Sequence, residues 1–345
     1  MEFNAHHCFP VADRSYLSLT KREIQKLAES YGFTEAKLGK IDIIAAELAS
    51  NLIKHTTSGG EILVKALGTG KAIGIEIISV DNGPGMVDVP RMMQDGVSTV
   101  GSQGEGLGAI KRLSHEFDIY SQPEQGTVVL SRVYLTEKDR KKNTGFNLVD
   151  IRAVMVAKAG EASCGDAWRA LPMKDGCVIM AADGLGHGEE AHMASTQAVA
   201  ILSETLAADP ANALRTIHEE IKRTRGAVGA VAFIHTASAK VSFCGIGNIG
   251  GKVLSLETNK SLISYNGILG HNIPNTIHNH QFSWSDTSII LLHSDGLKSR
   301  WEFSKYPHLR LHDPSVIAAV LYKDHTRKTD DILVIAGKQK NKAHA

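Results

Sequence analysis

Apolar positions recur with two different periods along this chain, and each change of period marks an element. Residues 15–31 and 35–55 carry apolar side chains at helical spacing; in the second stretch Ile41, Ile44, Ala45, Leu48 and Leu52 share one face. Alternating or continuous apolar runs predict strands at 61–67, 73–80, 117–122 and 127–135, and a helix is expected from Leu107 to His115. Helices with an antiparallel sheet describe an α+β domain. The run TEKDRKKNTG, residues 136–145, is charged, has no apolar face and reads as a linker. The pattern then restarts, with strands near 148–157, 177–182, 228–236, 240–245, 288–293 and 332–336 and helices at 187–207, 211–223 and 313–323. That order supports two sheets with helices packed outside them. The expected domains are 1–138 and 147–345, joined by a charged linker at 139–146.

Composition narrows the function classes. A chain of 345 residues can bury two cores. A net charge of +1 gives no field to recruit nucleic acid or a membrane surface. No basic start leads into an apolar run, and no uninterrupted apolar stretch approaches a membrane span, so a cytoplasmic protein is expected. Cys8, Cys164, Cys177 and Cys244 are scattered without a CxxC pair, which fits a reducing compartment and argues against structural zinc. His6, His7, His271, His278 and His280 lie in polar contexts and are expected at the surface.

The first candidate site centres on DNGPGM, Asp81 to Met86, at the end of the strand-like IGIEIISV. Ionised Asp81 is a pure acceptor and suits the exocyclic amine of adenine. Gly83 and Gly85 let the backbone turn close to a base. Upstream, in ELASN, Glu47 and Asn51 are four apart and share a helix face. Asn51 can offer a neutral oxygen to Mg²⁺, and Glu47 can take a proton from an incoming hydroxyl. Downstream, Gly101, Gly104, Gly106 and Gly108 make a glycine-rich lid whose N–H groups and following helix start suit phosphate. DNGPG alone is an ordinary turn and the glycine run alone a flexible loop; their joint order gives the signal.

The second candidate site is a set of acids next to β-type runs: Asp166 in SCGDAW, Asp183 in AADGLGHG, Asp295 in HSDGLKS, and Asp330 and Asp331 in TDDILVI. Each Asp-Gly pair alone is a turn former. Acids converging from several strand ends, however, are costly unless a cation joins them. Hard divalent ions, two Mn²⁺ or Mg²⁺, fit such a set and support direct hydrolysis of a phosphoester.

Residues 40–135 resemble the GHKL (Bergerat-fold) ATPases, and DNGPGM with MMQDGVSTVGSQGEGLGAIKRLSHEFDIYS is similar to the RsbT branch of serine/threonine kinases, more than to the RsbW and SpoIIAB anti-sigma kinases. The resemblance implies a Bergerat-type ATP-binding α/β sandwich that uses ATP with Mg²⁺, with Asn51 on the ion, Glu47 as base, Asp81 on adenine and Thr127 supporting the water network at the base. Too little chain precedes Glu47 for the phosphoacceptor helix pair of a sensor histidine kinase. Residues 150–337 resemble the SpoIIE/RsbX branch of the PPM phosphatases, and FCGIGNIGGKV is most like RsbX. That implies a PPM-type α-β-β-α sandwich with Asp183 bridging two metals, the Gly184 carbonyl and Asp166 on one, and Asp295 and Asp330 or Asp331 on the other. His187 is expected beside the metals without binding them.

Together these resemblances imply a kinase and an opposing phosphatase on one chain. The implied partners are STAS-domain proteins resembling RsbS, RsbR or anti-anti-sigma factors; self-association is left open. Two other readings stand beside this one. The chain could be an ATP-gated module that docks a sigma factor or a partner phosphatase, or a phosphatase regulated by its nucleotide domain. Glu47 favours phosphoryl transfer, since a pure binder needs no base. Because each site draws its named groups from one side of the linker, the halves are expected to be separable.

Overall fold

The computed structural model describes residues 5–94, 106–142, 148–205 and 209–340. The chain forms two compact units: Met1–Thr144 with Phe303–Lys323, and Gly145–Glu302 with Asp324–Ala345.

The first unit runs β1 (His7–Val11), α1 (Arg14–Ser30), α2 (Glu35–His55), β2 (Gly60–Leu67), β3 (Gly74–Asp81), α3 (Val89–Met92), α4 (Gly106–Leu113), β4 (Glu116–Gln122), β5 (Gly126–Tyr134) and α5 (Glu137–Lys142). Its antiparallel sheet has the order β1-β2-β3-β5-β4. Strand alternation sends Ile62, Val64, Ile75, Ile77, Val129 and Val133 to one face, where they form a core with Ile24 and Ala28 of α1 and Ile41, Ile44, Leu48 and Leu52 of α2. The short β1 has no apolar alternation to announce it, and its Pro10 is tolerated because β1 is an edge strand. Residues 137–142, within the expected linker, are helical.

The opposite face carries charge. The register sets Lys65 opposite Glu76, Glu76 opposite Arg132, and Arg132 opposite Glu116, so opposite signs alternate across four strands. Arg132 is 1% exposed and Glu76 is fully buried. Arg132 Nε donates to Glu76 Oε2 at 2.7 Å, Nη1 to Glu116 Oε2 at 2.9 Å, and the guanidinium forks onto Asp313 at 2.8 and 2.9 Å. Burial alone would push the Glu76 carboxyl up, but Lys65 and Arg132 outweigh it and hold it well below the usual range. His6 is also buried here, 3.3 Å from Glu76 Oε1. This corrects its expected surface position: pairing of β1 with β2 carries the preceding residue onto the charged face. His7, His271, His278 and His280 are exposed.

The second unit contains β6 (Val149–Val156), β7 (Asp166–Met173), β8 (Gly176–Gly184), α6 (Glu189–Thr205), α7 (Pro210–Glu220), β9 (Ala227–His235), β10 (Lys240–Ile246), β11 (Gly250–Leu254), β12 (Asn259–Ser261), β13 (His280–Ser283), β14 (Ile289–His293) and β15 (Ile332–Gln339). Two antiparallel sheets result, β13-β10-β9-β8-β7 and β12-β11-β14-β15-β6. Ala198 and Leu202 of α6 and Leu214 and Ile217 of α7 pack on Val178, Met180, Val231 and Phe233 of the first sheet.

Between β14 and β15 lies α8 (Pro314–His325), and its residues through Lys323 belong to the first unit. Asp313 caps it, accepting from the Ser315 N–H at 2.8 Å, while the Asp313 N–H donates to Asp118 at 2.7 Å and Ser315 Oγ donates to Glu76 at 2.9 Å. Tyr322 donates to Glu61 at 2.8 Å. The compact units therefore do not divide at the expected linker, since Phe303–Lys323 belongs to the first. A fragment ending at the linker would lack the carboxylate that forks onto Arg132.

Arg132→Met leaves Glu76 with fewer cationic partners and Asp313 without its fork, and is expected to cost about 3–5 kcal/mol. Asp313→Asn keeps the cap and is expected to cost less, about 1–3 kcal/mol. Urea denaturation of the full chain, followed by circular dichroism, measures both. Equal stability of Arg132→Met and wild type would show that the network contributes nothing net.

Candidate active sites

In the first unit, α2 and the start of α4 bring three expected residues together. An atom added at the Cα of Gly106 would stand 2.7 Å from Glu47 Oε2 and 3.7 Å from Asn51 Oδ1. Two oxygens of one helix face thus look onto the N-terminal end of α4, where Gly106 itself adds no side chain, a fit for a hydrated cation carrying phosphate. Gly108 is buried in α4. Gly101 and Gly104 lie outside the described residues.

Asp81 ends β3, opposite Thr127 of β5. Its Oδ1 accepts the Gly83 N–H at 2.8 Å. Burial raises the Asp81 carboxyl, and the Gly83 N–H and the charge of Lys323 pull it part-way back. Gly85, at φ +66°, and Gly126, at φ +80°, are required here. A side chain on Gly85 would strike the Gln122 carbonyl and one on Gly126 the Asp81 carbonyl, so the DNGPG loop lies directly on the β4–β5 turn. Thr127 Oγ1 and Ser121 Oγ are 2.9 Å apart, and Ser121 accepts the Met86 N–H at 2.8 Å. Ser121 escaped sequence reasoning; only its place one residue from the end of β4 could have pointed to it.

In the second unit, strand register places Asp166 opposite Asp183 at the ends of β7 and β8. Asp183, Asp295 and Asp330 line one cavity of about 380 Å³ with Leu185, Gly186 and Asn248. Burial and the neighbouring charges of Asp295, Asp330 and Asp331 raise the Asp183 carboxyl to about 8. Burial, then Asp183, also drives Asp166 well up. Gly184 must be glycine, since a side chain would meet the α6 backbone at Ala191.

Asp331 is turned into the wall. Its Oδ1 accepts the Lys158 N–H at 2.8 Å, whereas Asp330 lines the cavity. Asp166 Oδ2 accepts from Ser294 Oγ at 2.7 Å, but Asp166 Oδ1 and Asp331 Oδ2 are buried without a hydrogen bond among the described residues. The Cys164 thiol beside Asp331 is held protonated by burial and by the charges of Asp166 and Asp331; it is at best a weak donor. Orphaned carboxylate oxygens in a cluster of like charges fit divalent cations. Among the described residues no group of three or more His, Cys, Asp or Glu side chains is already arranged to hold a metal ion.

Two residues missed in the sequence support this set. Asn248 Nδ2 donates to Asp295 Oδ2 at 2.9 Å. Ser294 ties Asp166 to β15 by also accepting the Leu333 N–H at 2.9 Å. Both adjoin motifs that were visible, GIGN and HSDG, but nothing in either motif says which acid they serve. His187 is exposed and pairs with Glu161 at 2.7 Å.

The histidine kinase-like ATPase domain family matches residues 10–132, and the stage II sporulation protein E (SpoIIE) family matches residues 174–337. Over 105 residues the chain is 34% identical to the serine/threonine-protein kinase RsbT of Bacillus subtilis (strain 168), spanning 30% of this chain and 78% of that protein. The chain belongs to the RsbT family. Its first part is RsbT-like, and its second part matches the SpoIIE family model. A structure from work on the bacterial stressosome, described as a modular system adapted to control secondary messenger signalling, is 27% identical with a TM-score of 0.52, covering 55% of this chain and 99% of the other. RsbX in complex with magnesium, at 21% identity and a TM-score of 0.50, covers 56% of this chain and 96% of its own and shows a shared fold.

A carboxyl whose folded value is raised destabilises the fold as pH climbs from the unfolded toward the folded value, because the unfolded chain releases the proton first. Asp183→Asn escapes that cost. In metal-free protein it is expected to stabilise the second unit by about 1–3 kcal/mol at pH 9, and by less at pH 5. Mn²⁺ should raise the melting midpoint of the wild type and do little for the variant. Calorimetry in EDTA and in Mn²⁺ checks both; a variant less stable than wild type in EDTA at pH 9 contradicts the repulsion.

Proposed function

We propose that this chain is a partner-switching regulator that phosphorylates Ser or Thr on STAS-domain proteins resembling RsbS, RsbR or anti-anti-sigma factors, and removes phosphate from similar partners. The observation that supports the reading is that two clusters of the acidic residues expected from the motifs come together in the fold, one in each unit. One pairs Glu47 and Asn51 under the start of α4, with Asp81 held by backbone N–H groups. The other gathers Asp183, Asp295 and Asp330 around one cavity, with an orphaned Asp166 oxygen behind it.

In the kinase domain Asp81 would accept the adenine amine, Asn51 would help hold Mg²⁺, and Glu47 would take the proton from the attacking hydroxyl. In the phosphatase domain Asp183, Asp166, the Gly184 carbonyl, Asp295 and Asp330 would hold divalent cations. Such cations would supply an activated water and positive charge for the phosphoryl oxygens. Asn248 fixes the carboxylate of Asp295, and Ser294 that of Asp166. Asp331 sets the wall through Lys158. The STAS partners are proposed from the RsbT relationship and the stressosome likeness.

The test incubates the full chain with Mg²⁺-ATP and STAS proteins and locates phosphate by mass spectrometry. Glu47→Ala is expected to bind ADP normally and to slow transfer about 10²–10⁴-fold. Asp81→Asn should lose nucleotide binding, because an amide replaces a pure acceptor. Asp183→Ala should abolish Mn²⁺-dependent hydrolysis of a chromogenic phosphoester. If Glu47→Ala transfers phosphate at the wild-type rate, Glu47 is not the base; if the wild type binds ADP but transfers none to any STAS protein, the first domain is an ATP-gated docking module.

A further inference from the structure

The nucleotide pocket of the first unit is framed by a group that the second half of the sequence supplies. Lys323 closes the segment Phe303–Lys323, which lies in the chain between Asp295 and Asp330 yet belongs to the first unit. Its Nζ donates to Asn82 Oδ1 at 3.1 Å and to the Gln125 carbonyl at 2.6 Å. One acceptor follows Asp81 directly; the other sits two residues before Thr127.

Those two stretches already rest on each other. The Glu124 N–H donates to the Pro84 carbonyl at 2.8 Å, and Gly85 and Gly126 leave no room for a side chain between them. A single ammonium bonded to both stretches fixes the spacing between the carboxylate at position 81 and the hydroxyl at position 127. The helix that carries it has little freedom to drift. It is held at its start by Asp313 on Arg132 and near its end by Tyr322 on Glu61. A cation in the last turn also suits the carbonyl end of α8. Lys323 bonds the loop and the turn through Asn82 and Gln125, and its charge also acts on Asp81, so it both spaces the two stretches and favours the ionised carboxylate.

Resting on the nucleotide reading above, we propose that Lys323 is a positioning residue of the ATP site, holding the DNGPG loop against the β4–β5 turn so that Asp81 meets the adenine amine.

The experiment measures ADP and GDP affinity by calorimetry on the full chain at fixed Mg²⁺, for wild type, Lys323→Met, Lys323→Arg and Tyr322→Phe. Lys323→Met is expected to weaken ADP binding about tenfold and to narrow the ADP-over-GDP preference. Lys323→Arg, which keeps a cationic donor, should stay within about threefold of wild type. Tyr322→Phe loosens the same helix without touching the loop, and should lower the melting midpoint while leaving ADP affinity and base preference intact. Wild-type ADP affinity in Lys323→Met overturns the assignment alone. Equal ADP losses in Tyr322→Phe and Lys323→Met also overturn it, since the helix as a whole would then be responsible. A wild-type chain that binds no ADP overturns the nucleotide reading and this proposal with it.

Discussion

A guanidinium buried in the middle of a sheet is the constraint on which the first unit depends. Arg132 cannot shed its proton, so the structure must surround it with acceptors. Glu76 and Glu116 come from neighbouring strands and are fixed by register. They do not complete the set: the remaining fork is filled by Asp313, 181 residues away in sequence. The desolvation penalty of such a cluster exceeds what a hydrophobic patch would cost, and geometry that satisfies every donor is what makes it tolerable. A single acidic residue at the start of α8 is therefore held as firmly as a core residue. Everything downstream along that helix, Tyr322 and Lys323 included, inherits its placement.

The second unit manages charge in the opposite way. Its acids face one another with few basic groups among them, and two of their oxygens have no hydrogen bond among the described residues. The first unit balances its buried charge with its own side chains; the second gathers carboxylates without an equivalent set of cations among the described residues. This contrast explains why Glu76 is held far below the usual carboxylate range while Asp183 is raised to about 8, although both are carboxylates in largely buried surroundings. Burial raises both carboxyls; cations reverse the sign at Glu76, while like charges add to burial at Asp183.

Much of this was legible in the sequence because periodicity and short motifs report local geometry. The α2 pattern gave a helix with Glu47 and Asn51 on one face, and strand alternation put Asp81, Asp183 and Asp295 at or just past strand ends. What the sequence hid was long-range. The alternation in β3 reads Glu76 as a solvent-facing position, and only the pairing of β1 and the return of α8 make it buried. His6 was misplaced for the same reason. The strand at Asp166–Met173, with Arg169 and Pro172 in it, lacks the apolar regularity that marks β8. Ser294 and Asn248 sit next to recognisable motifs, yet the carboxylate each one holds comes from a distant strand or a neighbouring loop. The charged run 136–145 has no apolar face, and that gave no sign of the short helix at 137–142.

Asp81 and Asp183 show how one local device can serve two chemistries. Each stands at the end of a strand within an antiparallel sheet, and each leads into a glycine turn that clears space above the carboxylate. The surroundings then diverge. Asp81 receives the Gly83 N–H and lies near the positive charge of Lys323, so its remaining acceptor capacity suits a neutral N–H donor. A second cation there would add to charge that is already partly balanced. Asp183 has Asp166 across the ladder and Asp295 and Asp330 around the same cavity, so a neutral donor would leave the repulsion in place. A bound proton or a cation relieves it. The strand-turn geometry makes the carboxylate available; the charges of residues remote in sequence determine whether a base edge or a metal ion is the better ligand.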